Sequence, residues 1–192
     1  FLKEQLKWGV LGFGVLFSAA LFNYHRYYQL AMPLLLLTLF LLILVFIPGL
    51  GVKALGAHRW INFRLFILQP SELTKLSAII YLSAWFSYKE PGRFLAFLLL
   101  LGTLFGLVLL EPDLGTAFII ISVCLSVYFV SGAPLKHFLV LLPVSLAGVV
   151  GLALSAPYRF ARLTTFLDPS SDPLGASYHI RQILIGLGSG GL

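Results

Sequence analysis

The chain has 192 residues, of which 59% are hydrophobic and only 10% charged, with a mean hydropathy of +0.99. Water-soluble domains carry roughly 25% charged residues, so this composition excludes a globule with a polar coat and points to a membrane protein. The net charge of +6 comes without a Lys/Arg run or a basic helix; that argues against nucleic acid and toward an anionic lipid or a lipid-linked phosphate.

A helix that crosses the hydrocarbon needs about 20 mostly apolar residues. Six segments meet that need in chain order. The first is Trp8–Phe22, ending at the polar-aromatic run NYHRYYQ, and the second is Leu30–Ile47, ended by PGLG. The third covers 71–86 and stops at SYKEPGR, the fourth is Phe94–Leu110, and EPD joins it to the fifth, Leu114–Val130. The sixth is His137–Ser155. All six are expected to be α-helices, because lipid offers the backbone no hydrogen-bond partners. The predicted class is therefore all-α, a polytopic integral membrane bundle.

Residues 1–155 make the six-helix region and 156–192 a polar loop followed by a short helix. In that last segment Ile180, Ile183, Leu184 and Leu187 recur at helical spacing, which predicts an interfacial or re-entrant helix. The lone cysteine, Cys124, excludes an internal disulfide. The opening FLKEQLKWG has no initiator Met and no cleavage site, so the chain reads as beginning within a longer one.

Six spans sort the loops onto two sides. One side holds 23–29, 87–93 and 131–136, with Arg26, Lys89, Arg93 and Lys136 as its basic residues and Glu90 as its one acid. The other side holds the remaining nine basic residues and the other six acids. By the positive-inside rule that crowded side would be cytoplasmic. A solvated loop face explains part of the crowding. Glu72, Lys75, Glu111 and Asp113, however, fall at helix ends, where charge beside hydrocarbon is costly and tends to be functional.

Three stretches carry the candidates. In QPSELTK, Pro70 suits a first helical turn, Glu72 sits near the positive end of the helix dipole, and Lys75 shares its face. A plain helix start with an ion pair explains this; so does the wall of a polar cavity. Just before it, Arg59 offers a two-pronged grip on phosphate, and Trp60 either stacks on a sugar or anchors in headgroups. In EPDLGT, Asp113 is placed to cap the fifth helix. Glu111 and Asp113 together need a cation, a shared proton or a metal to relieve their repulsion; Lys75 is the nearest candidate cation if the third helix packs beside them. In YRFARLTTFLDPSSDPLGASYHIRQ, Arg159 and Arg162 lie three apart. Asp168 and Asp172 each precede a proline in successive turns. No ligand spacing supports a metal site, His58 and His179 included, and no phosphate loop, dinucleotide fingerprint or serine triad is present. No cofactor is assigned beyond the divalent cation that the carboxylates could recruit.

The three stretches GAHRWINFRLFILQPSELTKL, EPDLGTA and YRFARLTTFLDPSSDPLGASYHIRQILIGLGSGGL, in that order, resemble the SEDS family of bacterial cell-wall proteins, closest to the RodA branch with FtsW as its division sibling. The resemblance covers nearly the whole chain. It implies a ten-helix protein of the bacterial plasma membrane, of which the six spans here are the second to seventh. That topology puts the crowded side outside the cell, against the positive-inside count. It implies a glycosyltransferase that polymerises lipid II, a disaccharide-pentapeptide on undecaprenyl diphosphate, beside a class B penicillin-binding protein. The family's catalytic aspartate is expected beyond Leu192, so no catalytic residue is assigned. Arg59, Trp60, Glu72, Lys75 and Asp113 match family positions and are expected to shape a substrate cavity; Arg159, Arg162, Asp168, Asp172 and Gly175 match the loop motif. Glu111 departs from the glutamine of many relatives. A lipid II flippase and a non-catalytic scaffold of the elongation machinery are the competing expectations.

Overall fold

The computed structural model describes residues 2–47, 50–54, 57–64, 66–88, 92–154 and 178–190. These form α1 (Leu2–Leu21), α2 (His25–Leu44), a small sheet of β1 (Gly51–Ala54), β2 (Ala57–Asn62) and β3 (Ile67–Leu68), then α3 (Pro70–Phe86), α4 (Phe94–Leu110), α5 (Leu114–Val130), α6 (Leu135–Leu154) and α7 (Tyr178–Ser189). Each of the six expected spans has its helix. Those at 94–110 and 114–130 match residue for residue, and α1 starts six residues ahead of the expected Trp8. The loop candidates Arg159, Arg162, Asp168, Asp172 and Gly175 lie outside the described residues. The chain divides into two compact units, residues 1–133 and 134–192.

In the first unit α3 packs against both α2 and α5, and α4 packs against α5. The buried faces follow helical periodicity. On α4 they are Phe97, Leu101, Leu104 and Val108, and on α5 they run from Thr116 and Ala117 through Ile120, Ile121, Cys124 and Leu125 to Tyr128. Steps of three and four place such residues on one stripe. On α3 the stripe is small and polar: Ser71, Thr74 and Ser77, continued by Ala78 and Leu82. Small residues let membrane helices approach closely, and hydroxyls add bonds between them. Here the Ser77 hydroxyl lies 2.9 Å from that of Thr38 on α2, both buried. By contrast α1 buries none of its side chains.

The far end of α3 is held by rings. Tyr128 of α5 stacks on Phe97 of α4 with centroids 4.3 Å apart and planes 16° off parallel, and Phe86 of α3 approaches Tyr128 at 5.3 Å. Offset-stacked rings add to the energy of simple burial. Arg93 completes this end, donating to the Trp85 carbonyl and lying 5.7 Å from the Trp85 ring centroid.

The sheet between α2 and α3 is not expected from the sequence pattern. Its order is β1–β2–β3, antiparallel throughout. Ile61 of β2 is buried with Leu41 and Val45 at the end of α2, and Leu73 of α3 packs against the same cluster. One apolar side chain thereby fastens the sheet to the helices on either side of it.

In the second unit, α6 is an apolar 20-residue helix containing Pro143. Like α2, it is long and apolar enough to cross a membrane, while α4 and α5 are apolar over 17 residues each. The 12 residues of α7 rise only about 18 Å, short of a span.

Candidate functional site

The site forms where α3 begins and α4 passes into α5. Pro70 occupies the first turn of α3, after an extended Gln69 that leaves its own side chain off the helix end. A proline there loses no intrahelical bond. Glu72 follows in the first turn and pairs with Lys75 at 2.8 Å. Glu72 is 56% exposed and Lys75 24%, so the pair lies along the helix surface and contributes little stability. Lys75 is thus committed to Glu72, and it is not the cation that answers the carboxylates of the α4–α5 joint.

That cation is Arg59. Its Nε donates to the Glu111 carbonyl at 2.9 Å and its Nη2 to the Pro112 carbonyl at 2.6 Å. Residue type alone aims the same fork at phosphate; the fold gives two of its donors to the main chain. The reach comes from a break in the ladder between β1 and β2. Val52 pairs with Trp60 and Lys53 with His58, which leaves Arg59 without an opposite residue. A bulge of this kind re-aims a side chain. Trp60, the next residue, is half-buried.

Asp113 caps α5. Its Oδ1 accepts from the Thr116 backbone N–H at 3.1 Å, and its Oδ2 accepts from the Thr116 hydroxyl at 2.9 Å. Both oxygens are therefore used within the first turn of α5, as a cap requires.

Glu111 is the unusual member. Its side chain is fully buried, and neither carboxyl oxygen has a hydrogen-bond partner of ordinary geometry among the described residues. Burial pushes the carboxyl up to about 8, the Asp113 charge adds to the rise, and Arg59 and the nearby Ser71 hydroxyl pull the other way. Removal from water is the dominant cause, as expected where a carboxylate has no compensating donor. No group of three or more His, Cys, Asp or Glu able to hold a metal occurs among the described residues.

Of the ten candidate residues, then, Arg59, Glu111 and Asp113 are drawn together at one joint. Glu72 and Lys75 pair with each other on the adjoining helix, and Trp60 adjoins Arg59 on β2. Two participants are not apparent from the sequence: Ser71, and the main-chain carbonyls of Glu111 and Pro112. The carbonyls leave no trace in the residue types.

The whole chain, residues 1–192, matches the FtsW/RodA/SpoVE family, whose members are described as cell cycle proteins. The chain belongs to that family. Among its relatives are the stage V sporulation protein E of Bacillus subtilis, 37% identical over all of this chain and 54% of that protein. A probable peptidoglycan glycosyltransferase FtsW of Thioalkalivibrio sulfidiphilus is 39% identical over 99% of this chain and 49% of that one. Among solved structures, a chain of a peptidoglycan synthase complex aligns with a TM-score of 0.72 and 34% identity, covering 95% of this chain and 56% of that one. The rod shape determining protein RodA of Thermus thermophilus aligns with a TM-score of 0.62 and 34% identity, over 75% of this chain and 47% of that one. The FtsW/RodA/SpoVE match and these neighbours bear out the helical, polytopic membrane class expected from composition. The chain spans about half the length of the curated relatives it matches.

Proposed function

We propose that this chain is part of a peptidoglycan glycosyltransferase that polymerises lipid II, with the α3 start and the α4–α5 joint forming a wall of its substrate cavity on the extracytoplasmic face. The observation that carries this reading is the Arg59 assembly, in a chain whose relatives include probable peptidoglycan glycosyltransferases. In the reaction, a sugar hydroxyl of one substrate attacks the anomeric carbon of another and displaces a lipid diphosphate. A base must take the hydroxyl proton, and cations must stabilise the departing diphosphate. Arg59 at the joint and Lys75 on α3 are proposed for that role; Arg159 and Arg162, outside the described residues, are proposed as further substrate-binding cations. Trp60 and Glu72 are proposed to shape the wall, and Asp168 and Asp172 are proposed as further substrate-binding residues. No residue of this chain is assigned as the base.

The synthase complex that contains the similar chain coordinates polymerization with crosslinking, and by analogy a class B penicillin-binding protein is the proposed partner. Within the family we favour the elongation branch, supported by the RodA structures among its neighbours; the FtsW and SpoVE relatives represent the other branches.

The test is purified full-length protein with its partner and labelled lipid II in detergent, where sidedness is abolished. Glycan chains longer than the monomer are expected. Absence of polymer together with lipid movement across sealed vesicles would instead establish a flippase, and absence of both a scaffold. Restoration of rod shape in cells depleted of their elongation polymerase is the expected branch result; restoration of division alone overturns that assignment.

A further inference from the structure

Glu111 is the one carboxyl at the joint that caps nothing, has no hydrogen-bond partner of ordinary geometry among the described residues, and is closed off from water. Its own carbonyl, however, is one of the two that Arg59 holds. Side chain and main chain of one residue therefore compete for the same guanidinium. We propose that Glu111 is a positioning residue that carries a proton, and that this proton keeps Arg59 on the joint carbonyls rather than on the Glu111 carboxylate. The proposal rests on the glycosyltransferase reading above and adds a pH-dependent element to it.

The groups facing Glu111 support a proton over any other cation. From β2 comes Arg59, already charged and already bonded to the backbone. From the start of α5 comes Asp113, whose two oxygens serve Thr116. From α3 comes Ser71, which does not titrate in this range and accepts from the Gln69 side chain at 3.1 Å; the ionisable residues next along α3, Glu72 and Lys75, bond each other. A metal ion would find the Glu111 and Pro112 carbonyls occupied and a positive guanidinium beside them. A proton needs no further ligand and removes the buried charge outright. Once it leaves, the new carboxylate lies next to the only cation that faces it among the described residues. A charge-assisted bond to that carboxylate is stronger than one to a neutral carbonyl, so Arg59 is drawn off the joint.

The raised carboxyl, at about 8, sets the expected scale. A single ionisation at that midpoint lowers the protonated fraction about tenfold between pH 7 and pH 9. The experiment uses the full-length protein with its partner. Infrared difference spectra from about pH 6 to about pH 10 follow the protonated-carboxyl stretch, and lipid II polymerisation is measured over the same range and normalised to each protein's value at pH 7. In the wild type the stretch is expected to vanish with a midpoint near pH 8 and polymerisation to fall about tenfold by pH 9. In Glu111→Gln the stretch is absent and the fall is flattened. In Asp113→Asn, which keeps a capping side chain, the midpoint moves down, because Asp113 raises it. No titrating stretch in the wild type, or an unchanged alkaline fall in Glu111→Gln, overturns the proposal; so does a carboxylate band that shifts on adding a chelator. If the wild type makes no polymer at any pH, the reaction is wrong, and the infrared titration alone still decides the proton.

Discussion

The two ends of α3 are built on different principles. At its C-terminal end Phe86, Phe97 and Tyr128 close the bundle with rings, and Arg93 is spent on a neighbouring carbonyl and an indole. At its N-terminal end Arg59, Glu111 and Asp113 meet with Ser71 around a joint of three residues. The ring end gains from close packing and, among the described residues, has no buried carboxyl to satisfy. The joint end retains a buried carboxyl that an apolar side chain of similar size would replace at no cost in packing. A fold selected for stability alone would have two ring ends. The contrast supports placing the proposed site at the N-terminal end of α3.

Substitutions at the two ends sharpen that contrast. The largest effect is expected from Phe97→Ala, which empties a fully packed position; such changes cost about 3–5 kcal/mol, read as a fall in thermal midpoint in detergent with per-molecule polymerisation largely kept in the fraction that remains folded. Arg59→Ala should invert the pattern. Losing two charge-assisted bonds costs about 2–3 kcal/mol, but polymerisation is expected to fall further than the melting curve explains. If Arg59→Ala melts like Phe97→Ala and retains full turnover, the two ends do not differ in kind.

Glu111→Gln comes next. The Glu111 carboxyl ordinarily titrates near 4.5 and in the folded protein near 8, so the folded state keeps a proton that the unfolded state gives up. Its contribution to stability is intact below about pH 4.5 and drains away as pH rises to about 8. The wild type is therefore expected to lose stability across that window relative to Glu111→Gln, measured as the difference between their melting midpoints at the two pH values. Lys75→Ala should be the smallest. An exposed pair of this type contributes well under about 1 kcal/mol, so a large drop in its melting point would show the pair to be more deeply engaged than its exposure indicates.

The sequence revealed the helices and their ends because lipid enforces length and composition. Pro70, the EPD break and the 113 cap mark their positions through local chemistry that needs no tertiary context. The packed faces were illegible. In FLAFLLLLGTLFGLVLL nearly every residue is apolar, so nothing distinguishes Phe97 and Leu104, which are buried, from Leu95 and Leu99, which are exposed. Amphipathic periodicity reports burial only when the other face meets water. The sheet is hidden for a related reason: its strands run only two to six residues, too short for alternation to show. Charge type points to the α4–α5 joint but to the wrong cation beside it. Lys75 was the obvious neighbour by helix packing, but the bulge carries Arg59 across 52 residues to reach it.

That Arg59 holds two main-chain oxygens has a bearing on how the family can diverge. A bond to a peptide carbonyl is indifferent to the side chain attached to it. Neutral side chains can therefore exchange at position 111 while the hairpin stays tethered to the helical turn through the carbonyls of 111 and 112, whereas a permanent charge at 111 would contest the same guanidinium.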